Sequence, residues 1–297
     1  MNKLKFSLLL LAAATISCSG KESGTTDSAT ASFSASPEET EAVEAIETEE
    51  AVQAVDPKHT ALLSAYPDQV KEIRDNKVIM ASGAELVFDD GKSKDFKGRL
   101  DDSDIEDMFF DVYALPDPEP AYQFDPGRSR SDELFKNMYG RSAAEVQKKL
   151  VGVDWFGQRV MFTSVNGAAD SLRAVAKELA QYPELKPYLK SSGTFYWRQV
   201  RGAKRMSAHS YGIAFDIGVD KSDYWLWKSG SNDESKKVKY ANRIPRQIVD
   251  IFQKHGFIWG GAWYHFDTMH FEFRPELLKY AELMENQPKP TEPKPTE

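Results

Sequence analysis

The chain has 297 residues, of which 41% are hydrophobic, and a formal net charge of −8 at pH 7. This length and composition allow one large domain or two small ones with a sizeable core, and the negative charge argues against a nucleic-acid-binding protein. The charge is uneven, because residues 19–57 hold ten acidic residues against Lys21, so the remainder of the chain is almost neutral.

The N-terminus has the pattern of an export signal. A basic start precedes an apolar run over residues 6–14, which is too short to span a bilayer, and small residues follow. Residues 15–18, Thr-Ile-Ser-Cys, resemble a lipobox, the sequence at which bacteria cleave an exported chain and lipidate its cysteine. We therefore predict a signal peptide over residues 1–17 and a lipid anchor on Cys18, the only cysteine. The alternative is a plain secretory signal with an incidental cysteine.

The anchor sets the expected location and domain organisation. The protein is expected to be an exported bacterial lipoprotein, anchored in a membrane and exposed to the periplasm or the cell surface. Residues 18–57 are rich in Ser, Thr, Ala and Glu, which predicts a disordered acidic tether. Residues 58–284 have a globular composition and are interpreted as one domain, with residues 58–190 as its N-terminal elaboration. Residues 285–297, rich in Pro, Lys, Thr and Glu, predict a disordered tail.

Local patterns predict the elements of the globular part. In chain order these are strands over residues 77–83 and 84–88, a helix over 131–150 with Ser142 as an N-cap, a strand over 155–165, a helix over 170–180, a strand over 195–200, and a helix over 244–255 closed by Gly256. The polar segment 223–237 carries three aromatic residues, which either line a groove or cap the core.

Two stretches near the C-terminus alternate between apolar and polar residues, as a half-buried strand does. The apolar positions are Ile213, Phe215, Ile217 and Val219 in the first stretch and Met269, Phe271 and Phe273 in the second. Asp216 and His270 occupy the other side of their stretches. If the two strands pair in one sheet, these two side chains project from the same face. His209 precedes the first strand, and Gly212 allows the turn that brings it back.

His209, Asp216 and His270 together have the composition of a metal site. Two imidazoles and one carboxylate supply the three protein ligands of a catalytic zinc ion, with the fourth position open. A lone histidine is more often a satisfied polar residue, so the prediction depends on the combination of the three. His265 also lies close to the second motif, although a structural role is the preferred interpretation of it.

The motifs resemble a known family. The pattern Ser-x-His-x-x-Gly-x-Ala-x-Asp at residues 207–216, followed by Asp-x-x-His-Phe-Glu at residues 267–272, is similar to the zinc D-alanyl-D-alanine carboxypeptidases and L-alanyl-D-glutamate endopeptidases of bacteria. These enzymes cut cell-wall peptides and share their fold with the amino-terminal domain of hedgehog proteins. The resemblance extends from about Gly193 to about Leu278 and includes a Gly-Thr-Phe-x-x-Arg context that ends at Arg198.

The resemblance implies a set of residue roles. It implies that His209, Asp216 and His270 bind one zinc ion and that Asp267 is the catalytic acid and base. Asp267 reaches the metal centre only if residues 267–269 form a turn and the strand begins near Met269, because residues three apart on a straight strand face opposite sides.

Three further residues complete the expected site. Arg198 is expected to bind a substrate carboxylate or the developing oxyanion, since a guanidinium can serve either purpose. Ser207 is expected to hydrogen-bond the substrate backbone. Glu272, one strand step from His270, is a candidate second partner for the imidazole of that residue.

We therefore expect an α+β fold in which a mostly antiparallel sheet bears the zinc site and helices pack on its other face. The expected function is zinc-dependent hydrolysis of a peptide bond in the peptidoglycan stem, of the carboxypeptidase or the endopeptidase type. The expected partners are stem peptides and, through Cys18, a membrane, with no nucleic acid and a monomeric state. The alternative is a non-catalytic cell-wall-binding lipoprotein on the same fold.

Overall fold

The computed structural model describes residues 56–287, and every statement of structure below concerns that range. The helices are α1 (Pro57–Ala65), α2 (Phe96–Asp101), α3 (Asp132–Tyr139), α4 (Ala143–Gln147), α5 (Ala168–Leu179), α6 (Trp225–Ser229), α7 (Arg246–Lys254) and α8 (Pro275–Glu285). The strands are β1 (Val70–Arg74), β2 (Lys77–Met80), β3 (Glu85–Val87), β4 (Leu150–Trp155), β5 (Gln158–Thr163), β6 (Ser191–Gly193), β7 (Ala214–Ile217), β8 (Phe257–Trp259) and β9 (His270–Phe273).

The strands form three antiparallel sheets. Strands β1, β2 and β3 make a meander, β4 and β5 make a hairpin, and the third sheet has the order β6-β7-β9-β8. Together with the helices, these sheets confirm the expected α+β class. In the third sheet Asp216 lies opposite His270, and Phe215 lies opposite Phe271. Because side chains alternate along a strand, the polar pair and the aromatic pair face opposite sides of the sheet.

The aromatic face of this sheet is covered by helix α7. The ring of Phe252 stacks on Phe271 with a centroid separation of 3.9 Å and lies 6.3 Å from Phe215. Trp155, at the end of β4, packs edge-on against Phe215 at 4.7 Å. These four side chains are fully buried. This apolar layer fixes the sheet from one side, so Asp216 and His270 are held on a rigid support.

The N-terminal elements pack against the C-terminal helix. Helix α1 contacts α8, and the hydroxyl of Tyr66 donates a hydrogen bond of 2.5 Å to Glu276. The rings of Phe109 and Tyr280 lie 5.1 Å apart, edge to face. One hydrophobic core therefore includes side chains from Ala61 to Tyr280.

Several boundaries differ from the predicted elements. The predicted helix over 131–150 is two helices, because Gly140 breaks it with φ of 137°, and Ser142 caps α4 by accepting from the Glu145 amide. The predicted strand over 155–165 is β5 alone, since a turn at Phe156 and Gly157 ends β4 before it. Strands β2 and β3 and helix α7 lie inside their predicted ranges. Helix α5 begins two residues before its predicted start.

The predicted strand over 195–200 is wrong. Strand β6 ends at Gly193, and only Gln199 forms an isolated bridge, to Met206. The chain instead turns back at residues 200–205, where the Val200 amide donates to the Arg205 carbonyl at 3.0 Å. Tyr196 and Arg198 are exposed as a result. The aromatic residues of this segment suggested a buried strand, but no second strand covers them.

Some predictions fall at or beyond the limits of the described residues. The signal peptide over 1–17, the anchor at Cys18 and most of the tether lie outside residues 56–287. Helix α1 begins inside the end of the predicted tether, because Asp56 caps it and Pro57 opens it. Helix α8 reaches Glu285, the first residue of the predicted tail. Within residues 56–287, no helix has the length and apolarity needed to cross a membrane.

Candidate active site

Three elements bring His209, Asp216 and His270 together. Asp216 and His270 are register partners on β7 and β9, and His209 lies in the short 3-10 helix Ala208–Tyr211 just before β7. Gly212 ends that helix with φ of 68°, a conformation that glycine adopts without strain. A Cβ at this position would lie 2.6 Å from a methyl group of Leu150. Gly212 therefore allows the sharp reversal that returns His209 towards the sheet.

The side chains of these three residues converge on one point. Their ligand atoms all lie within 4.8 Å of one another. Nδ1 of His270 is 2.8 Å from Oδ1 of Asp216, and Nε2 of His209 is 3.2 Å from Oδ2 of the same carboxylate. Both imidazoles are buried, with 6% and 7% of their surface exposed. The structure therefore assembles the three residues that the sequence predicts as ligands.

The other nitrogen of each imidazole is held by an acceptor. Nδ1 of His209 lies 2.6 Å from the carbonyl oxygen of Thr194, and Nε2 of His270 lies 3.0 Å from a carboxylate oxygen of Glu272. A neutral histidine carries a single proton, which either ring nitrogen can hold. His209 Nε2 and His270 Nδ1 both face Asp216, and with the ring protons on the outer nitrogens their lone pairs would be available to a cation, as in metal sites where an outer partner fixes the ligand imidazole.

This arrangement fits a divalent cation. With neutral imidazoles, two nitrogen lone pairs and a carboxylate face one another without a proton between them, which is repulsive unless a positive charge lies among them. A proton shared between His270 and Asp216 is the alternative to a cation in relieving this repulsion. Burial lowers the pKa of His270, but its hydrogen bond to Asp216 and the charge of that carboxylate outweigh burial and raise the pKa to about 10. The donor set, two nitrogens and one carboxylate, is that of a three-ligand zinc site.

Asp267 lies at the turn that leads into β9. The His270 amide donates to the Asp267 carbonyl at 3.1 Å, and the strand begins at His270, so residues 267–269 form the turn that the sequence argument requires. Oδ1 of Asp267 is buried and has no hydrogen-bond partner within residues 56–287. Burial raises the pKa of Asp267 to about 7, with the attraction of His270 opposing it and the charge of Asp216 adding to it. A carboxyl group with this pKa can accept and return a proton near neutral pH.

Glu272 connects the His-Asp-His cluster to two buried arginines. It accepts hydrogen bonds from Arg130 at 3.0 Å and from Arg274 at 3.3 Å, in addition to its contact with His270. Burial raises the pKa of Glu272, but the charge of Arg130 and the contact with His270 outweigh it and lower the pKa to about 2. Glu272 is therefore an ionised acceptor that fixes the ring of His270.

The sequence of this region matches a known family. Residues 201–273 match the family model described as D-alanyl-D-alanine carboxypeptidase. This segment is similar to that peptidase family. The finding confirms the resemblance drawn from the two motifs, and the matched segment contains His209, Asp216, Asp267, His270 and Glu272. Among curated proteins no match to the chain was found.

Two predicted substrate-contact residues lie at the edges of this carboxypeptidase-family segment. Arg198 precedes the match and is exposed, with Nη1 donating to the Gln199 carbonyl at 3.3 Å. Ser207 is buried, and its amide donates to the Arg198 carbonyl at 3.0 Å. Both residues line the cavity that contains the His-Asp-His cluster. Arg198 reaches that cavity from the irregular segment before the turn at residues 200–205, rather than from the strand that the sequence predicted.

The site cavity has a volume of about 850 Å³ and is built from more than the family segment. Helix α2 and the loop at 123–130 contribute to its lining from the N-terminal part of the chain. From the segment 223–237, Tyr224 and Trp225 line the cavity, whereas Trp227 is exposed outside it. Trp225 is also buried and packs edge-on against His265 at 4.8 Å. The aromatic cluster thus both lines the cavity and covers the core.

Sequence reasoning missed several residues of this cavity. Arg128, Arg130 and Arg205 carry no motif that identifies them, and the first two lie outside the family match. The only available signal was the proline-rich turn before Arg128. His265 lines the cavity as well, but its Nδ1 lies 2.6 Å from Asp125 and its Nε2 lies 2.9 Å from the Glu234 carbonyl. Both nitrogens are occupied, which supports the structural role that the sequence favoured for it.

Proposed function

We propose that this protein is a zinc-dependent peptidase that hydrolyses a peptide bond in the peptidoglycan stem, as a D-alanyl-D-alanine carboxypeptidase or an L-alanyl-D-glutamate endopeptidase. The observation that carries the proposal is the position of Asp267. Its buried carboxylate oxygen has no partner in residues 56–287, and Asp267 lines the same cavity as a His-Asp-His cluster whose ligand atoms lie within 4.8 Å of one another.

His209, Asp216 and His270 would hold the zinc ion. When bound, zinc supplies Lewis acidity, polarising a carbonyl oxygen and lowering the pKa of a water molecule towards about 7. The protein's own contribution is orientation, because the Thr194 carbonyl and Glu272 fix the two imidazoles. The buried sheet beneath Asp216 and His270 keeps the donors in place without reorganisation when a substrate arrives.

Asp267 would move the proton during hydrolysis. Its free Oδ1 accepts the proton from the attacking water and returns it to the amine that leaves. Arg198 and Ser207 would position the peptide, with the guanidinium on a substrate carboxylate or the developing oxyanion and the hydroxyl on the substrate backbone. The exposure of Arg198 leaves its donors available to a ligand in the cavity.

The decisive experiment is digestion of purified muropeptides, with the products weighed by mass spectrometry. A mass loss of one alanine indicates the carboxypeptidase, and separation of the stem after its first residue indicates the endopeptidase. Chelator should abolish either product, and zinc should restore it. Muropeptides that bind but yield no product would contradict hydrolysis and favour the non-catalytic binding lipoprotein.

We also propose that Cys18 anchors the enzyme in a membrane on the exported side, where the cell wall lies. The lipobox-like sequence before Cys18 supports this. Replacing the cysteine, Cys18→Ala, should release the protein from the membrane fraction or block its processing. An unchanged distribution on fractionation would show that the segment is an ordinary secretory signal.

A further inference from the structure

Three buried arginine side chains line the site cavity, and of these only Arg130, through Glu272, has a part in the arrangement described above. Arg128, Arg130 and Arg205 are buried, with 8%, 6% and 5% of their surface exposed. Removing a cation from water is costly unless anions and hydrogen bonds compensate it. Three such groups at one cavity therefore require a reason, and their partners indicate what that reason is.

The partners of these arginines are unequal. Arg130 is paired with Glu272 at 3.0 Å, and Arg128 is paired with Asp125 at 2.7 Å. Arg205 donates through Nη1 to Asp101 at 2.6 Å. Burial, together with the charges of Arg128 and Arg130, lowers the pKa of Arg205 to about 10. The three guanidinium groups are thus close enough to repel one another, and Arg205 is the least compensated.

Arg205 has donors to spare. Its Nη2 lies 3.7 Å from the nearest carboxylate oxygen, on Glu234. That distance is too long for a hydrogen bond. Its Nε, like that of Arg130, has no hydrogen-bond partner within residues 56–287 but is fully buried, so Nη2 is the donor that a ligand in the cavity can reach. A guanidinium offers five donors in a planar fork that matches a carboxylate. Arg205 therefore still has capacity for an anionic partner in the cavity.

Glu234 shows where such an anion would lie. Its carboxylate accepts a hydrogen bond from Nη2 of Arg128 and faces Nη2 of Arg205. Glu234 belongs to the polar segment 223–237 rather than to a helix or strand, and its side chain remains 25% exposed. A single carboxylate oxygen thus lies between two arginines, in a position that a ligand in the cavity can approach.

We propose that Arg128 and Arg205 form a carboxylate-binding subsite for the peptide substrate, and that the Glu234 carboxylate is the internal group that the substrate replaces. The inference rests on the proposed function, because it assigns a feature of the substrate of the same cavity. The ligand class is a peptide with a free carboxylate away from the bond that is cut. A carboxamide of the same shape lacks the charge and one acceptor oxygen, so the subsite should discriminate between the two.

The test compares binding of two peptides that differ at one group. A stem peptide with a free D-glutamate carboxylate and its matched carboxamide are titrated calorimetrically into the Asp267→Asn variant, in which cleavage does not interfere. Charge-assisted hydrogen bonds predict that the carboxylate peptide binds about tenfold tighter or more. Arg205→Gln should reduce this ratio towards one.

Glu234→Gln makes the sharper forecast, since it removes the competing internal anion. It should tighten binding of the carboxylate peptide several-fold, by about tenfold at most, and leave that of the carboxamide unchanged. The matched control is Asp233→Asn, which removes a neighbouring acid that also lines the cavity but bonds to Ser235. A purely structural Glu234 predicts the opposite sign, weaker binding of both peptides and a lower melting temperature.

Equal affinities of the two peptides for the Asp267→Asn protein would overturn the subsite. Weaker binding of the carboxylate peptide after Glu234→Gln is added would overturn it as well. Arg205→Lys, which keeps the charge and loses the fork, replaces Arg205→Gln if the latter fails to fold. The outcome is separable from the proposed function. Cleavage of both peptides by the wild type with equal affinities sinks only the subsite, whereas a large affinity ratio without any cleavage sinks only the hydrolase.

Discussion

Nδ1 of His270 lies 2.8 Å from Oδ1 of Asp216, although the two residues are 54 positions apart in the chain. The contact exists because β7 and β9 pair in a register that places these residues opposite each other. Their strand neighbours Phe215 and Phe271 point into the core on the other side. The same alternation that buries the aromatic rings thus aims both polar groups at one point, and the predictions below depend on it.

The first prediction concerns metal content. Protein lacking residues 1–18 should hold one zinc ion per chain, and His209→Ala or His270→Ala should lose it together with activity. Each substitution removes one of only three protein ligands. Metal analysis after dialysis measures this directly. The control is His255→Ala, because His255 is paired with Glu178 at the end of α7 and should leave the zinc in place. Full activity of metal-free protein would refute the zinc site.

The second prediction concerns the outer partner of His270. Glu272→Gln keeps the shape of the side chain but removes the charge that Arg130 and Arg274 hold in place. Zinc affinity should fall by about 10- to 100-fold, the usual effect of losing an outer-shell partner. Competition with a chromogenic chelator measures the affinity.

The chain offers a matched control for this substitution. Glu276 is a second fully buried carboxylate that also pairs with Arg274, but it bonds to Tyr66 instead of His270. Glu276→Gln should lower the melting temperature without a change in zinc affinity. Equal losses of zinc affinity in both variants would mean that Glu272 acts only through general stability.

The third prediction concerns the support beneath the site. Phe252→Ala removes the ring that stacks on Phe271, and it should reduce the free energy of unfolding by about 3–5 kcal/mol. Chemical denaturation measures this loss. Phe110 is 57% exposed, and the guanidinium of Arg99 lies over its ring. Phe110→Ala should therefore reduce the free energy of unfolding by about 1 kcal/mol or less. A similar loss in both variants would contradict the placement of Phe252 at the centre of the core.

Much of the His-Asp-His cluster could be predicted from the sequence, because the patterns that orient its residues are local to each strand. Period-two alternation assigns Asp216 and His270 to the polar sides of their strands, and Gly212 marks the reversal that carries His209. The one assumption about tertiary structure was that the two strands pair. The pairing of β7 with β9, which places Asp216 opposite His270, confirms it. Glu272 follows from the same alternation, one strand step from His270.

The buried arginines around the site have no local signature. Arg130 reaches Glu272 across 142 positions, and Arg128 reaches Glu234 across 106, through packing of the N-terminal elements that no periodicity encodes. The predicted strand over residues 195–200 is wrong for a related reason. Its aromatic residues have the pattern of a strand, but a strand also needs another strand to pair with. Here the chain instead turns back upon itself at residues 200–205.

The last prediction separates the proton carrier from the ligands. Asp267→Asn is nearly isosteric and removes proton acceptance at the buried Oδ1 without removing any of the three ligand residues. Zinc content should stay at the wild-type level, while turnover should fall by the ~10²–10⁴-fold that general acid–base catalysis contributes. Asp216→Asn should differ, because the amide is a weaker ligand and its NH₂ group opposes the imidazole lone pairs. Zinc content should therefore fall in Asp216→Asn together with turnover. Zinc content and turnover are measured for both variants side by side. The zinc contents should differ between the two variants, whereas turnover should fall in both. Loss of zinc in Asp267→Asn with retention in Asp216→Asn would show that the two carboxylates have exchanged roles.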